Sequence, residues 1–156
     1  MTSITPFLWF DNRAGEALDF YSTVFEHSTI IDVNRVGDPS SPDGGFMMGT
    51  IELENTKLIL FNGGPFHAFN EAISLFVSCE SQAEVDRLWG ELCDGGEPGR
   101  CGWLNDRFGV SWQIVPTLLG ELMGDPDPAK SKRVFEAMMK MDKLESSVLQ
   151  SAYDGE

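Results

Sequence analysis

The chain has 156 residues, of which 25 are acidic and 11 basic, giving a net charge of −14. So negative a surface excludes nucleic acid and anionic membrane as partners, because both are held by clustered Lys and Arg. With 42 % hydrophobic and 11 % aromatic residues it can bury the core of one ordinary domain or of two half-size modules, which excludes global disorder. Cys79, Cys93 and Cys101 are odd in number and include no C-x-x-C pair, so a reducing compartment is expected. Neither a signal peptide nor a run of about 18 apolar residues is present, and a cytoplasmic location is expected.

In chain order, Ile4–Phe10 is short, apolar and aromatic, and predicts a strand with Ile4, Leu8 and Phe10 on one face and Thr5, Phe7 and Trp9 on the other. Asp11 and Asn12 are candidate caps for a helix carrying Leu18, Tyr21 and Phe25 on one stripe. Ser28–Val36, Phe46–Glu54 and Lys57–Asn62 predict three strands, the first two separated by a Pro-, Ser-, Asp- and Gly-rich loop. Ala72–Cys79 predicts a further strand. Ser81 and Glu84 have the spacing of a capping box, and Val85, Leu88, Trp89 and Leu92 continue as a helical stripe until Gly95-Gly96. Cys101–Pro116 then reads as strand, tight turn and strand, with Val110, Trp112 and Ile114 on one side and Ser111, Gln113 and Val115 on the other.

The order repeats. Leu18-Asp19 stands opposite Val85-Asp86 at an offset of 67 residues, which predicts a duplicated β-α-β-β-β unit. The expected class is α+β, one domain with a first module over about 1–68, a second over about 69–116 and C-terminal helices over about 117–154. Two curled sheets with the helices outside would form a cup. In the tail, Leu118–Met123 predicts a helical turn, and Asp127-Pro128 opens a helix of about twenty residues. Its stripe of Val134, Met138, Met141, Leu144 and Val148 suits a brace, within the chain or across a dimer.

Several segments resemble the vicinal-oxygen-chelate (glyoxalase/bleomycin-resistance) superfamily, and more narrowly its PhnB-like, 3-demethylubiquinone-9 3-methyltransferase-like family. They are Ile4–Phe10 with Glu16-Ala17 and Phe20-Tyr21, then Leu60–Pro65, Glu71–Ser74, Glu84–Trp89, Cys101–Leu104, Asp106–Pro116 and Glu136–Met141. The resemblance implies a paired-module fold and a homodimer. It also implies four metal-ligand positions, which fall by register on Thr5, Phe61 or Asn62, Ala72 and Gln113. None is an ionisable ligand, so no metal is expected. The family label implies methyl transfer. A Gly-rich turn between strand and helix is missing, since Gly63-Gly64 is followed by Pro65, and no cofactor is expected.

Thr5, Phe7, Trp9, Ser74, Phe76, Ser111 and Gln113 are expected to line the cup, an apolar and aromatic wall with a few neutral polar groups that suits a flat ligand such as a quinone or phenol. Asn62 joins these ligand candidates through a loop, Asn62-Gly63-Gly64, whose amides could meet an anion or could simply connect two strands. Gln113 fits a ligand hydrogen bond or a satisfied interior amide equally. Trp103 and Trp112 suit core positions, His67 stands alone in a loop, and Asp106-Arg107 reads as surface charge on the hairpin. Cys101 has no evident activating neighbour, and no Ser-His-Asp set assembles. Three readings stay open: a metal-free binder of a small aromatic metabolite, an enzyme of methyl transfer or other ring chemistry, and a scaffold whose cup is filled.

Overall fold

The computed structural model describes all 156 residues, Met1–Glu156. They divide into two compact units, Met1–Phe69 and Asn70–Glu156. No helix is long and apolar enough to cross a membrane.

The first unit runs β1 (Phe7–Phe10), α1 (Ala14–Val24), β2 (Ser28–Arg35), β3 (Phe46–Leu53) and β4 (Thr56–Asn62). Its strands form one sheet in the order β1-β4-β3-β2, with β1 parallel to β4 and the other pairs antiparallel. Alternation along the strands does what the pleat requires. Leu8, Phe10, Ile51, Leu53, Leu58 and Leu60 are buried on the face that carries α1, where Ala14, Ala17, Leu18, Tyr21 and Val24 meet them. Neither Asp11 nor Asn12 caps α1. The amide of Ala14 donates instead to Asn62 Oδ1 at 2.8 Å, so the cap comes from the end of β4, 48 residues on.

The second unit repeats the pattern with β5 (Leu75–Cys79), α2 (Gln82–Cys93), β6 (Glu97–Pro98), β7 (Trp103–Asn105) and β8 (Ser111–Pro116), in the sheet order β5-β8-β7-β6. The capping box forms as the spacing predicts: Ser81 Oγ accepts from the Glu84 amide, and the Glu84 carboxylate accepts from the Ser81 amide. Leu104, Trp112 and Ile114 are buried with Val85, Leu88 and Leu92 of α2.

Asp106 is not surface charge. It is 3 % exposed. Its Oδ1 accepts from the amides of Phe108 (2.9 Å) and Val110 (3.0 Å), and its Oδ2 from Trp112 Nε1 (2.9 Å). One carboxylate therefore closes the β7–β8 turn and satisfies the indole buried behind it. Gly109, at φ +86°, supplies the left-handed residue that the turn needs.

The tail forms α3 (Thr117–Met123), α4 (Pro128–Met138) and α5 (Ser146–Asp154), so the expected twenty-residue helix is two helices. Helical propensity runs unbroken through 139–145, but the chain leaves the helix to dock on the hairpin. The Cys101 amide donates to Met141 O (2.9 Å) and the Gly102 amide to Asp142 O (2.7 Å), carbonyls that a continued helix would have used internally. Leu144 is fully buried there, and a Cβ on Gly102 would press on it at 3.0 Å. Gln82 fastens the strap further, donating to Leu144 O and accepting from the Ser146 amide, while Lys143 Nζ lies 2.8 Å from Asp86. The tail is an intrachain brace on the second unit.

Replacing Asp106 with Ala orphans three donors, two of them buried, and should cost about 3 kcal/mol. For a chain of this length that is a fall of roughly 6–12 °C in Tm by calorimetry. An unchanged Tm would mean that water replaces the carboxylate.

Candidate functional site

In each unit one helix covers one face of the sheet, and the pleat turns alternate side chains onto the other. These uncovered faces hold most of the residues singled out above. On the first unit Phe7, Trp9, Phe61, Met48 and Thr50 share the uncovered face, by the register of β1, β4 and β3. The Phe7 and Phe61 ring centroids are 5.4 Å apart, and Trp9 meets Phe61 edge-on at 5.1 Å. His67 does not stand alone: its ring packs edge-to-face on Trp9 at 4.8 Å. Trp9 Nε1 donates to Gly64 O at 2.9 Å, which fixes the indole's orientation. Gly63 permits this arrangement, because a Cβ there would run into the Trp9 indole and lie 2.7 Å from the Phe61 ring. Phe7 remains 52 % exposed, an aromatic surface with no covering side chain. Thr5, half-buried, lies just before β1.

Asn62 lies elsewhere. It follows Leu58 and Leu60 on the helix-covered face, capping α1 with Oδ1 and donating through Nδ2 to Phe46 O at 3.3 Å. Its polar atoms are engaged in holding helix to strand. The Gly63-Gly64 loop is likewise closed by Trp9 rather than open to an anion.

On the second unit Phe76, Gln113 and Trp103 stand side by side across β5, β8 and β7. Gln113 Nε2 donates to Ser74 Oγ at 2.9 Å. Trp103 is on this face and half-buried, whereas Trp112 is core. Ser111, paired with Asn105, is 2 % exposed, and its hydroxyl is buried without a hydrogen-bond partner. Glu71, which sequence reasoning passed over, accepts from Asn105 Nδ2 at 2.8 Å. That bond holds the Glu71 carboxyl below the usual carboxylate range, so it is charged at neutral pH. The signal that could have found it is slight: a lone acid just before a strand.

The thiols offer less. Burial raises the Cys79 thiol to about 11 and raises that of Cys93. Cys101 Sγ lies 3.5 Å from Met138 O beneath the strap. Arg107 turns away to Asp94, at 3.1 Å.

No three His, Cys, Asp or Glu side chains are grouped so as to hold a metal ion. The positions that the resemblance assigns to metal ligands carry a hydroxyl (Thr5), a phenyl ring or an engaged amide (Phe61, Asn62), a methyl (Ala72) and the Ser74-bonded amide of Gln113. That donor set does not fit a divalent transition metal, which wants imidazole, carboxylate or thiolate. No helix opens behind Gly63-Gly64, so the loop is not the Gly-rich turn between strand and helix that holds a nucleotide cofactor.

A cleft of about 830 Å³ is on the other side of the first sheet, between α1 and β2. Its charged rim is internally paired: Arg13 bonds Glu16 twice, at 2.8 and 2.9 Å, and Arg35 donates to Asp43 O at 2.7 Å. The uncovered faces differ from this cleft in carrying aromatic rings beside a few polar groups.

A family model described as 3-demethylubiquinone-9 3-methyltransferase matches residues 2–115. It stops before the C-terminal helices, so Glu136–Met141 lies outside the match. Among solved structures, one from Bacillus cereus described as a 3-demethylubiquinone-9 3-methyltransferase, PhnB protein, is 31 % identical with a TM-score of 0.66, over 74 % of this chain and 99 % of that one. A protein from Pseudomonas aeruginosa is 23 % identical with a TM-score of 0.64, over 74 % and 98 %. A glyoxylase/bleomycin resistance protein/dioxygenase domain from Frankia is 16 % identical with a TM-score of 0.47, over 74 % and 92 %. No curated protein matches the chain.

Replacing Gly63 with Ala should force Trp9 off its bond to Gly64 O and cost about 2 kcal/mol, as overpacking does. The Trp9 indole N–H resonance should move. An unmoved resonance with an unchanged Tm would show that the loop gives way instead.

Proposed function

The chain belongs to the 3-demethylubiquinone-9 3-methyltransferase family, and from that premise we propose that it binds a small, flat aromatic metabolite without a metal ion. The observation that carries this reading is the aromatic set Phe7, Trp9, Phe61 and His67 on the uncovered face of the first sheet. Exposed rings side by side offer a stacking surface, and ring-on-ring contacts contribute about 0.5–1.5 kcal/mol each beyond the area they bury. With Trp9 tethered to Gly64, binding loses little side-chain entropy.

Methyl transfer, the activity in the description of the Bacillus cereus relative, is the competing reading. It requires a place for S-adenosylmethionine, and the tightly packed Gly63 and the absent helix argue against one here. Self-association is part of our reading too. It is supported by β2, an edge strand exposed along its length, with Ile30, Ile31 and Val33 each about 40–46 % or just under 40 % accessible.

A thermal-shift panel of quinones, phenols, S-adenosylmethionine, Zn²⁺, Ni²⁺ and Mn²⁺ tests the function. A ring compound at a hundred times its Kd should add about 2.7 kcal/mol, roughly 5–10 °C, and Trp9→Ala should remove that shift. A response to S-adenosylmethionine alone would replace this reading with methyl transfer, and a response to a metal alone would end the metal-free part. Equilibrium sedimentation should give twice the chain mass of 17.3 kDa; the mass of one chain would end the proposal of self-association.

A further inference from the structure

The uncovered face of the second sheet is ordered in two rows. Phe76, Gln113 and Trp103 form one, with rings on either side of the amide. In the next row Ser111 pairs with Asn105, and the β5–β8 register, continued one residue past Leu75–Trp112, sets Ser74 on the other side of Ser111. The bond from Gln113 to Ser74 links the rows, and Glu71 closes the second through Asn105.

The amide orientations follow from the partners. Asn105 must turn its NH₂ toward the Glu71 carboxylate, because two oxygens would repel, and this leaves its carbonyl outward. Gln113, donating to Ser74, likewise keeps its carbonyl. A carboxylate has about four lone-pair sites, and Glu71 uses one on Asn105. The outward chemistry of this row is therefore rich in acceptors. The Ser111 hydroxyl, buried without a partner behind this row, is out of a ligand's reach and adds no outward donor.

Resting on the aromatic-ligand reading above, we propose that Glu71, held by Asn105, selects rings that carry hydroxyl groups over the same rings with carbonyl oxygens: a phenol or hydroquinone rather than a quinone. A hydroquinone O–H donates to the carboxylate and to the amide carbonyls. A quinone oxygen beside Glu71 meets the carboxylate and the Asn105 carbonyl, both acceptors, and is repelled. Phe76, 59 % exposed, and Trp103 supply ring contact on this unit alone.

Titration calorimetry under anaerobic conditions, with one hydroquinone and its quinone, tests this. The wild-type chain should bind the hydroquinone about tenfold or more tighter, the effect expected of one hydrogen bond to a charged acceptor. Glu71→Gln keeps the shape, accepts from Asn105 and turns an NH₂ outward. It should abolish or reverse the preference without weakening the quinone. Asn105→Ala, which frees the carboxylate to swing, should reduce the preference, with Tm confirming that both variants fold. Equal binding of the two forms by the wild type, or a preference that survives Glu71→Gln, overturns the role of Glu71 and leaves the aromatic-ligand reading standing. Failure of both forms to bind overturns the two together.

Discussion

A single helix of eleven or twelve residues is about as long as a four-stranded sheet is wide, and it can cover only one of the sheet's faces. Every other feature of this protein depends on that limit. It forces the strands to divide their side chains, with Leu8, Phe10, Leu58 and Leu60 going under α1 while Phe7, Trp9 and Phe61 go to the far side. The second unit makes the same division with Leu104, Trp112 and Ile114 against Gln113, Trp103 and Asn105. What is left uncovered lies outside cores that are already complete without it.

The two uncovered faces have diverged. At the repeat offset of 67 residues, Trp9 corresponds to Phe76 and Phe7 to Ser74. The first face is aromatic and tied down by a carbonyl of its own loop. On the second, one aromatic position has become a hydroxyl, and a row of amides and a carboxylate has formed beside the remaining rings. One face is mainly aromatic and the other mixes rings with hydrogen-bonding groups, on two units built to one pattern. The second unit also carries the strap at 139–145, which lies outside the residues that the family model matches. Its contacts with Gln82, Asp86, Cys101 and Gly102 stay on the covered side and leave the uncovered face as it is.

The contacts that sequence reading did not foresee share a cause. Asn62 continues an apolar alternation and was read with the glycines after it, yet its amide caps a helix that begins 48 residues earlier. Asp106 lies in a turn motif that suggests exposure, but a buried indole six residues on needs its oxygen. His67 finds Trp9, and Glu71 finds Asn105, through contacts between residues 58 and 34 positions apart. In each case a polar or aromatic group is satisfied by something distant in sequence, and local pattern carries no trace of that.

The sequence by itself determined the strands, the two helices and their repetition, because alternation with a period of 2.0 or 3.6 and local capping such as Ser81–Glu84 are properties of neighbouring residues. It also determined which faces of β1 and β8 are apolar. Only the tertiary structure decided which polar groups are engaged in holding the fold and which are left to meet a ligand. Hydrogen bonds are short and directional, so that decision awaits the register of strands and the docking of loops that bring distant partners within about 3 Å.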